Sequence, residues 1–232
     1  MRLIGPANYS RMPWKNGGGE TIEIAVWPQG AGLASFDWRV SMARVTQPGP
    51  FSSFTGVDRT LAILDGAGLT LAVAGRHPVE LTAASPGYTF PADLPVTATL
   101  ADGPVLALNA MTRRDKVRHA LDWLSVTAPR ALRIDADWAL LLCRTGAIEA
   151  DVAGRTMSVA AEDALLLEPC PPEPWTLRPP PAATLFVIRL RSVAGTALSE
   201  QPRRSVDHRL DAQEQKKAVD DIVEAFGRDA AH

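Results

Sequence analysis

"LTLAVAGRHPVELTA", residues 69–83, is echoed later in the chain by "IEADVAGRTMSVAAED", residues 148–163. Both segments contain the tetrapeptide Val-Ala-Gly-Arg, and the runs ahead of them agree as well. Each of those runs is an apolar segment that leads into a glycine turn, "LAILDGAG" at 61–68 and "ALLLCRTG" at 139–146. Self-similarity of this kind is typical of a structural unit that is present twice. The sequence therefore predicts two tandem domains of the same type.

Short apolar strands separated by Gly, Pro, Asp and Asn follow one another between residues 22 and 190, a spacing typical of β-sandwiches and barrels. No helical periodicity of useful length appears there, which excludes a parallel sheet with crossover helices. In "DGAGLTLAVAGRHPVELTAASPGYTFPADLPV", residues 65–96, strands alternate with Gly and Pro-Gly turns in the outline of a cupin. The predicted fold is all-β: tandem cupin-like β-barrels, a bicupin.

The predicted domains are an N-terminal cupin-like domain with the pocket, residues 1–115, and a C-terminal cupin-like domain, residues 116–192. Residues 193–232 form a tail of different character. Within it, "DHRLDAQEQKKAVDDIVEAFG", residues 207–227, predicts an amphipathic helix that packs on a barrel. The apolar positions of this helix are Val219, Ile222, Val223 and Phe226. A protein-binding helix is the alternative.

The composition excludes several classes of protein. The chain has 232 residues, 46% hydrophobic and 22% charged, with a formal net charge of −2 at pH 7. Such a balance is typical of a globular protein and gives no overall attraction to nucleic acid or to an anionic membrane. The first residues lack the apolar region of a signal peptide, and no window approaches the roughly 20 apolar residues of a spanning helix. We expect a cytoplasmic protein in which Cys143 and Cys170 are packed thiols.

Histidines are missing from the positions where metal-dependent cupins carry their ligands. Those proteins place an HxH pair, a later His and usually a Glu on one face of the barrel interior. The corresponding stretch here, "GPFSSFTGVDRT" at residues 49–60, contains no histidine. The histidines of the chain lie elsewhere, at His77, His119, His208 and His232. The sequence therefore predicts a cupin with no metal site and no cofactor.

Polar and apolar side chains alternate in "FDWRVSMARV", residues 36–45. The alternation places Trp38, Val40 and Met42 on one strand face and Asp37, Arg39, Ser41 and Ala43 on the other. An arginine that faces a barrel interior is costly unless it pairs with an internal acid or an anionic ligand. Arg39, and Arg59 in the next apolar strand, are therefore either ligand-binding residues or outward-pointing surface residues.

The stretch "MPWKNGGGETIEIAVW", residues 12–27, places three glycines before a strand. Alternation predicts that the strand has Thr21, Glu23, Ala25 and Trp27 on one face and Ile22, Ile24 and Val26 on the other. The glycines fit no nucleotide-binding pattern. They allow close backbone approach, and their N–H groups are predicted to face a ligand carboxylate. Trp14, Lys15 and Asn16 are predicted to form a lid or wall at the mouth of the barrel.

Three motifs together, "MPWKNGGGETIEIA", "FDWRVSMARVTQPGPFSSFTGVDRTLAILDGAGLTL" and "LNAMTRR", resemble the HutD/Ves family. Its members are two-domain cupin-like proteins that are often encoded with histidine-utilisation genes. The resemblance implies a bicupin without the usual metal ligands and a pocket in the N-terminal half. The site residues that it implies are Trp14, Lys15, Asn16, Arg39, Ser52, Arg59 and Asn109. The chain departs from the family at Ala107, where the family has an acid.

The first functional hypothesis is a small-molecule-binding protein with a regulatory role in histidine utilisation. Its ligand would be a small carboxylate, such as a formylated or imino amino acid. Lys15, Arg39 and Arg59 would clamp the carboxylate. Asn16 and Asn109 would supply directional hydrogen bonds.

The alternative is a metal-free enzyme, an isomerase or hydrolase that acts on a small carboxylate. Lys15 or Glu20 would then serve as the acid or base, because burial can move either pKa into the working range. A third reading is an adaptor that uses the C-terminal helix. Partners other than the ligand are expected to be limited to a second copy of the chain, with neither nucleic acid nor membrane involved.

Overall fold

A computed structural model describes residues 1–194, which form an almost entirely β fold with one 3-10 turn, Pro6–Asn8. The first strands are β1 (Arg2–Ile4), β2 (Ser10–Pro13), β3 (Gly19–Trp27), β4 (Trp38–Val45), β5 (Gly49–Pro50), β6 (Val57–Asp65), β7 (Leu69–Val73), β8 (Val79–Leu81), β9 (Tyr88–Pro91), β10 (Val96–Leu100) and β11 (Val105–Arg113). The later strands are β12 (Val117–Val126), β13 (Arg130–Leu132), β14 (Trp138–Val152), β15 (Arg155–Ala160), β16 (Ala164–Leu167), β17 (Trp175–Arg178) and β18 (Ala183–Ser192). The all-β prediction is confirmed. The helix predicted at residues 207–227 lies outside the described residues.

The strands of residues 1–194 form three sheets. A six-stranded sheet has the order β2-β3-β4-β11-β6-β9, and a four-stranded sheet has the order β5-β10-β7-β8. The eight-stranded sheet is built around β14, whose first part pairs with β16 and β18 and whose last part pairs with β15 and β17. β12 pairs with β18, and β1 pairs with β16.

The inner face of the six-stranded sheet packs on the four-stranded sheet. Leu61 of β6 and Ala107 of β11 meet Leu71 of β7 in one buried apolar cluster. A smaller cluster contains Phe36 and Met111. Side chains of both clusters line the cavity described below, so this cavity lies between two apolar regions that hold its walls in place.

The outer face of the six-stranded sheet packs against the eight-stranded sheet. The ring centroid of Trp138, on β14, lies 5.7 Å from that of Trp27 and 6.1 Å from that of Trp38. Val40, Leu140 and their neighbours extend this cluster across both sheets. Burial of each large apolar side chain contributes roughly 1.5–3 kcal/mol. The interface therefore holds the outer faces of β3, β4 and β11 in place, while the inner faces of these strands line the cavity.

Within residues 1–194, buried polar side chains are confined to the part that precedes β12, which we call the first half of the chain. They are Asp37, Arg39, Ser41, Arg59, Thr60, Asn109 and Thr112. The interior enclosed by the eight-stranded sheet is instead an apolar cluster with side chains such as Leu141, Ile148 and Trp175. Because burying a polar group is costly unless it is satisfied, the difference directs the search for a site to the first half.

The two copies of the repeated tetrapeptide occupy equivalent hairpin turns. Gly75 follows β7 with a φ of 76°, and Gly154 lies between β14 and β15 with a φ of 74°. Glycine suits both positions because a left-handed backbone is strained for other residues. The division into domains 1–115 and 116–192 stays a prediction.

The strict alternation predicted for β3 is wrong after Glu23. Glu23 lies opposite Ser41 and Ala25 lies opposite Val40, so Ile24 is an extra residue in a β-bulge. A bulge of this kind reverses the faces of the residues that follow it. Ala25 and Trp27 consequently join the apolar cluster between the sheets and do not share a face with Glu23.

Candidate functional site

A cavity of about 230 Å³ lies at the inner face of the six-stranded sheet. It is slightly smaller than the pockets that hold drug-sized ligands, so it suits a small metabolite. Its lining includes every residue of the sequence-predicted site: Trp14, Lys15, Asn16, Arg39, Ser52, Arg59 and Asn109. The structure brings these residues together, and their role in binding a ligand stays a prediction.

Strand register explains why the polar side chains meet. On β4, Arg39 and Ser41 line the cavity while Trp38 lies in the cluster behind the sheet, which confirms the alternation predicted for this strand. Met111 of β11 lies opposite Arg39 on one side and opposite Arg59 on the other. The two arginines are thus two strands apart, about 10 Å between Cα atoms at the usual strand spacing. Both long side chains can reach the same space.

Arg59 is a buried cation, with 9% of its surface exposed. Its Nε and Nη2 atoms donate to Asn109 Oδ1 at 2.9 and 2.6 Å, and its guanidinium carbon lies 4.4 Å from the ring centroid of Phe51. Among residues 1–194 no carboxylate lies within 4.0 Å of this guanidinium. Burial first, and the positive charge of Arg39 second, lower the pKa of Arg59 to about 9. The side chain is therefore still charged at neutral pH.

Arg39 is buried as well but has an acidic partner. Its Nε lies 2.6 Å from Glu23 Oε2, and the two side chains are 6% and 21% exposed. The register of β3 against β4 brings Glu23 close to Arg39. Glu23 lies directly opposite Ser41, which is two residues further along β4 than Arg39. The terminal Nη atoms of Arg39 have no hydrogen-bond partner within the described residues.

Two further polar side chains inside the cavity, Asn109 and Ser41, can each donate a hydrogen bond. Because Asn109 Oδ1 accepts twice from Arg59, the amide orientation is fixed and the Nδ2 group is left without a partner among residues 1–194. Ser41, directly opposite Asn109, is 2% exposed and its hydroxyl has no hydrogen bond within the same residues. Ser41 was not predicted as a site residue, although its alternation with Arg39 was a signal for it.

The segment that precedes β3 forms the wall of the cavity that the sequence predicted. Trp14 Nε1 donates to Thr21 Oγ1 at 2.9 Å, which fixes the indole beside the cavity. The expectation that the glycine N–H groups face a ligand is wrong for two of them. Gly17 N donates to Trp14 O at 3.0 Å and Gly18 N donates to Asn16 Oδ1 at 3.0 Å. These bonds close the loop on itself, so the glycines shape the wall.

The acid–base residues proposed for an enzyme are separated. Lys15 lines the cavity, whereas Glu20 is not among the lining residues and its Oε1 lies 3.1 Å from Arg11 Nη1. His119 lies behind the sheet, where its ring nitrogens are each 2.7 Å from a threonine hydroxyl, Thr60 and Thr112. Within residues 1–194, no three His, Cys, Asp or Glu side chains are grouped so that they could hold a metal ion. No helix of that part is long and apolar enough to cross a lipid bilayer.

The all-β fold that contains this cavity is similar to that of a cupin. A cupin 2 conserved barrel domain protein from Leptotrichia buccalis has a TM-score of 0.50 with 11% identity, and it covers 74% of this chain and 88% of its own. That likeness concerns the fold alone. The family follows from the sequence itself, because residues 6–185 match HutD. The chain belongs to the HutD family.

Relatives and solved structures agree with this assignment. An uncharacterised 21.2 kDa protein in the hutC 3′ region of Pseudomonas putida is 33% identical over 169 residues, 72% of this chain and 87% of that protein. Protein Ves of Cronobacter sakazakii is 41% identical over 106 residues, 45% of this chain and 56% of Ves. HutD from Pseudomonas fluorescens SBW25 has a TM-score of 0.70 and 27% identity, with 83% of this chain and 99% of that structure covered. The HutD/Ves resemblance is confirmed.

The position at which the family resemblance implies an acid, residue 107, lies inside the cavity. Ala107 is fully buried and lines the cavity, two residues along β11 from Asn109. Alternate residues of a strand share a face, so an acid at position 107 would bring a negative charge to the arginines. With alanine there, Glu23 is the one acid within 4.0 Å of either guanidinium among residues 1–194, and it is bound to Arg39.

Proposed function

We propose that this chain binds a small carboxylate and takes part in regulating histidine utilisation. The observation that carries the proposal is Arg59, a buried guanidinium at a cavity with no carboxylate beside it in the described chain. Leaving such a charge uncompensated is costly, and an anionic ligand would supply the missing partner. Arginine is well suited to this because its planar donors match a carboxylate.

The donors around Arg59 are sufficient for useful affinity. The ligand carboxylate would accept from Arg59 and from Asn109 Nδ2, whose Oδ1 already bonds that guanidinium. Hydrogen bonds to charged groups contribute roughly 1.5–3 kcal/mol each. Two or three of them support micromolar dissociation constants after the cost of association. Phe51, stacked on the guanidinium at 4.4 Å, would keep water from competing for the same face.

The residues at the mouth of the cavity would close it. Lys15, Asn16 and Ser52 are exposed and line the cavity, while Trp14 is half-buried. Lys15 would attract the anion before it enters, although solvent screens a charge at that position. Trp14 would cover the apolar part of the ligand.

Histidine utilisation is supported by the family and by the names of relatives. The chain belongs to the HutD family, and the Pseudomonas putida relative is described by its place in the hutC 3′ region. We therefore extend the proposal to ligands formed from histidine. A regulatory role fits a protein whose cavity lacks a grouped acid–base pair, because Lys15 lines the cavity without Glu20.

The proposal is tested by calorimetric titration of the purified chain with acetate, propionate, histidine and the carboxylates formed from histidine. Arg59→Met should abolish binding. Arg44→Met is the matched control, because Arg44 is exposed on the same sheet and does not line the cavity. Equal binding by the wild type and Arg59→Met would contradict the assignment, as would the absence of binding by any of these compounds.

The regulatory part needs a separate experiment in the host organism. Replacing Arg59 by methionine on the chromosome should change the induction of the histidine-utilisation genes by histidine, because a protein without its ligand no longer responds. The Arg44→Met strain should behave as the wild type. Unchanged transcript levels in the Arg59→Met strain would leave ligand binding without a role in this pathway.

We also propose the tandem arrangement of two cupin-like units. It is supported by the equivalent turns at Gly75 and Gly154 and by the separate interiors of the two halves. An experimental structure tests it by whether each half closes around its own interior. Self-association as a homodimer stays a prediction, which light scattering of the purified chain would check.

A further inference from the structure

The two guanidinium groups in the buried part of the cavity differ in whether an acidic side chain compensates their charge. Arg59 has no acidic partner in the described chain, whereas Arg39 forms an ion pair with Glu23, whose Oε2 lies 2.6 Å from the Nε of Arg39. Lys15 stands at the exposed mouth, where water screens it. The buried part therefore has one uncompensated positive charge, although it contains two guanidinium groups. A charge count of this kind limits the ligand as strongly as the shape of the cavity does.

We infer that the cavity selects monoanions that carry a second, neutral hydrogen-bond acceptor, and that Glu23 sets this preference by neutralising Arg39. The inference rests on the proposed function, since the single carboxylate of the ligand occupies Arg59. Its second acceptor is a carbonyl, an amide oxygen or an aromatic nitrogen. Glu23 itself does not line the cavity, so it is a positioning residue that acts through Arg39.

The donors around Arg39 form the subsite for the neutral acceptor. Glu23 holds the Nε of Arg39, which leaves the terminal Nη atoms for the cavity. Ser41 lies on β4 two residues from Arg39, directly opposite Glu23 on β3 and Asn109 on β11. It is 2% exposed, and no residue of the described part takes its hydrogen bond. A neutral acceptor would satisfy Ser41 and Arg39 together.

A second carboxylate in that subsite would be rejected. It would share Arg39 with the Glu23 carboxylate, and two negative charges would then lie on one buried guanidinium. Like charges brought together in a low-dielectric site are strongly unfavourable. The preference against dianions thus comes from a residue that the ligand does not touch.

The experiment is calorimetric titration at about pH 7.5 with succinamate and succinate, which have nearly the same shape but carry one and two negative charges. The wild type should bind succinamate at least about tenfold more tightly. Glu23→Gln, of almost unchanged volume, should reverse the order because Arg39 becomes a second uncompensated cation. Glu80→Gln is the matched control, since Glu80 is exposed on β8 and does not line the cavity; it should keep the order of the wild type.

A double variant separates charge from hydrogen bonding. Glu23→Gln with Arg39→Gln removes the ion pair and restores the net charge of the wild type, so succinamate should again be preferred, with lower affinity. If the wild type binds succinate as tightly as succinamate, the inference is wrong. This comparison uses the wild type alone, so it does not depend on whether a variant folds. If acetate binds while neither larger compound does, the inference is also wrong but the proposed function stands. If no carboxylate binds, the proposed function itself fails.

Discussion

Replacing Asn109 with aspartate would place a carboxylate where Arg59 already donates two hydrogen bonds. The acceptor atom, Asn109 Oδ1, lies 2.9 and 2.6 Å from Nε and Nη2 of the guanidinium. The substitution adds a negative charge with almost no change in volume. We expect Asn109→Asp to be more stable than the wild type and to lose anion binding, because the cation would then have an internal partner.

The size of the stability gain follows from the surroundings of Arg59. Burial first, and the charge of Arg39 second, lower its pKa from the usual range of an arginine to about 9, a cost of several kcal/mol at about 1.4 kcal/mol per pH unit. A carboxylate beside the guanidinium would offset this cost, but desolvation of the new carboxylate itself costs several kcal/mol. We expect a net gain of about 1–3 kcal/mol at neutral pH. The gain should be lost progressively as the pH falls from about 4, where the carboxyl group of the unfolded chain begins to bind protons, through the lower pKa that Arg59 gives this group in the folded chain.

Urea unfolding and calorimetric titration with acetate measure the two effects on the same samples. Acetate affinity should fall at least about 100-fold, since the ligand would meet a like charge. Asn8→Asp is the matched control, because Asn8 is exposed at the end of the 3-10 turn, and it should change neither quantity. A less stable Asn109→Asp variant, or one that binds acetate normally, would refute the view that Arg59 lacks a counter-charge.

Three further predictions concern the scaffold. Burial lowers the pKa of His119 to about 4, below its unfolded value of about 6.5. The unfolded chain therefore binds this proton at a higher pH than the folded chain does. Urea unfolding should show that up to about 3 kcal/mol of stability is lost as the pH falls from about 6.5 to about 4, and the His119→Asn variant should lack this pH dependence. Lys116→Met removes the ammonium 2.8 Å from the fully buried Asp37 and should destabilise the chain by about 3 kcal/mol, with part of the loss recovered in Lys116→Met with Asp37→Asn. In Gly19→Ala the added Cβ would lie 2.1 Å from Arg44 O, so thermal unfolding should show a loss of about 1–3 kcal/mol, and normal stability would contradict the backbone geometry.

Where polar and apolar residues alternate, the sequence was sufficient to assign side chains to the correct faces of a strand. On β4 the contrast between Trp38 and Arg39 is strong, and both side chains lie on the predicted sides. In β3 every residue after Glu23, from Ile24 to Trp27, is apolar, so no polar–apolar contrast reveals the bulge. The error after Glu23 therefore reflects a backbone feature that leaves no trace in the polarity of the side chains.

Contacts between side chains on neighbouring strands could not be predicted from the sequence. The pairing of Glu23 with Arg39 depends on the register of β3 against β4, and register is a property of the assembled sheet. The same holds for Ser41, whose place opposite Asn109 brings its hydroxyl into the cavity. The resemblance to the family pointed to residues that line one cavity, while the charges in that cavity could be counted only once the neighbours of each residue were known.

The pairing of β1 with β16 has a consequence for how the chain is made. Arg2 lies opposite Leu166, and the Tyr9 hydroxyl donates to the backbone oxygen of Glu162 at 2.6 Å. β1 leaves the ribosome long before β16 and must therefore wait for that strand before the backbone hydrogen bonds between the two can form. Contacts of such long sequence separation slow folding. A tag or truncation at the start of the chain should accordingly disturb the second half of the molecule before it disturbs the first.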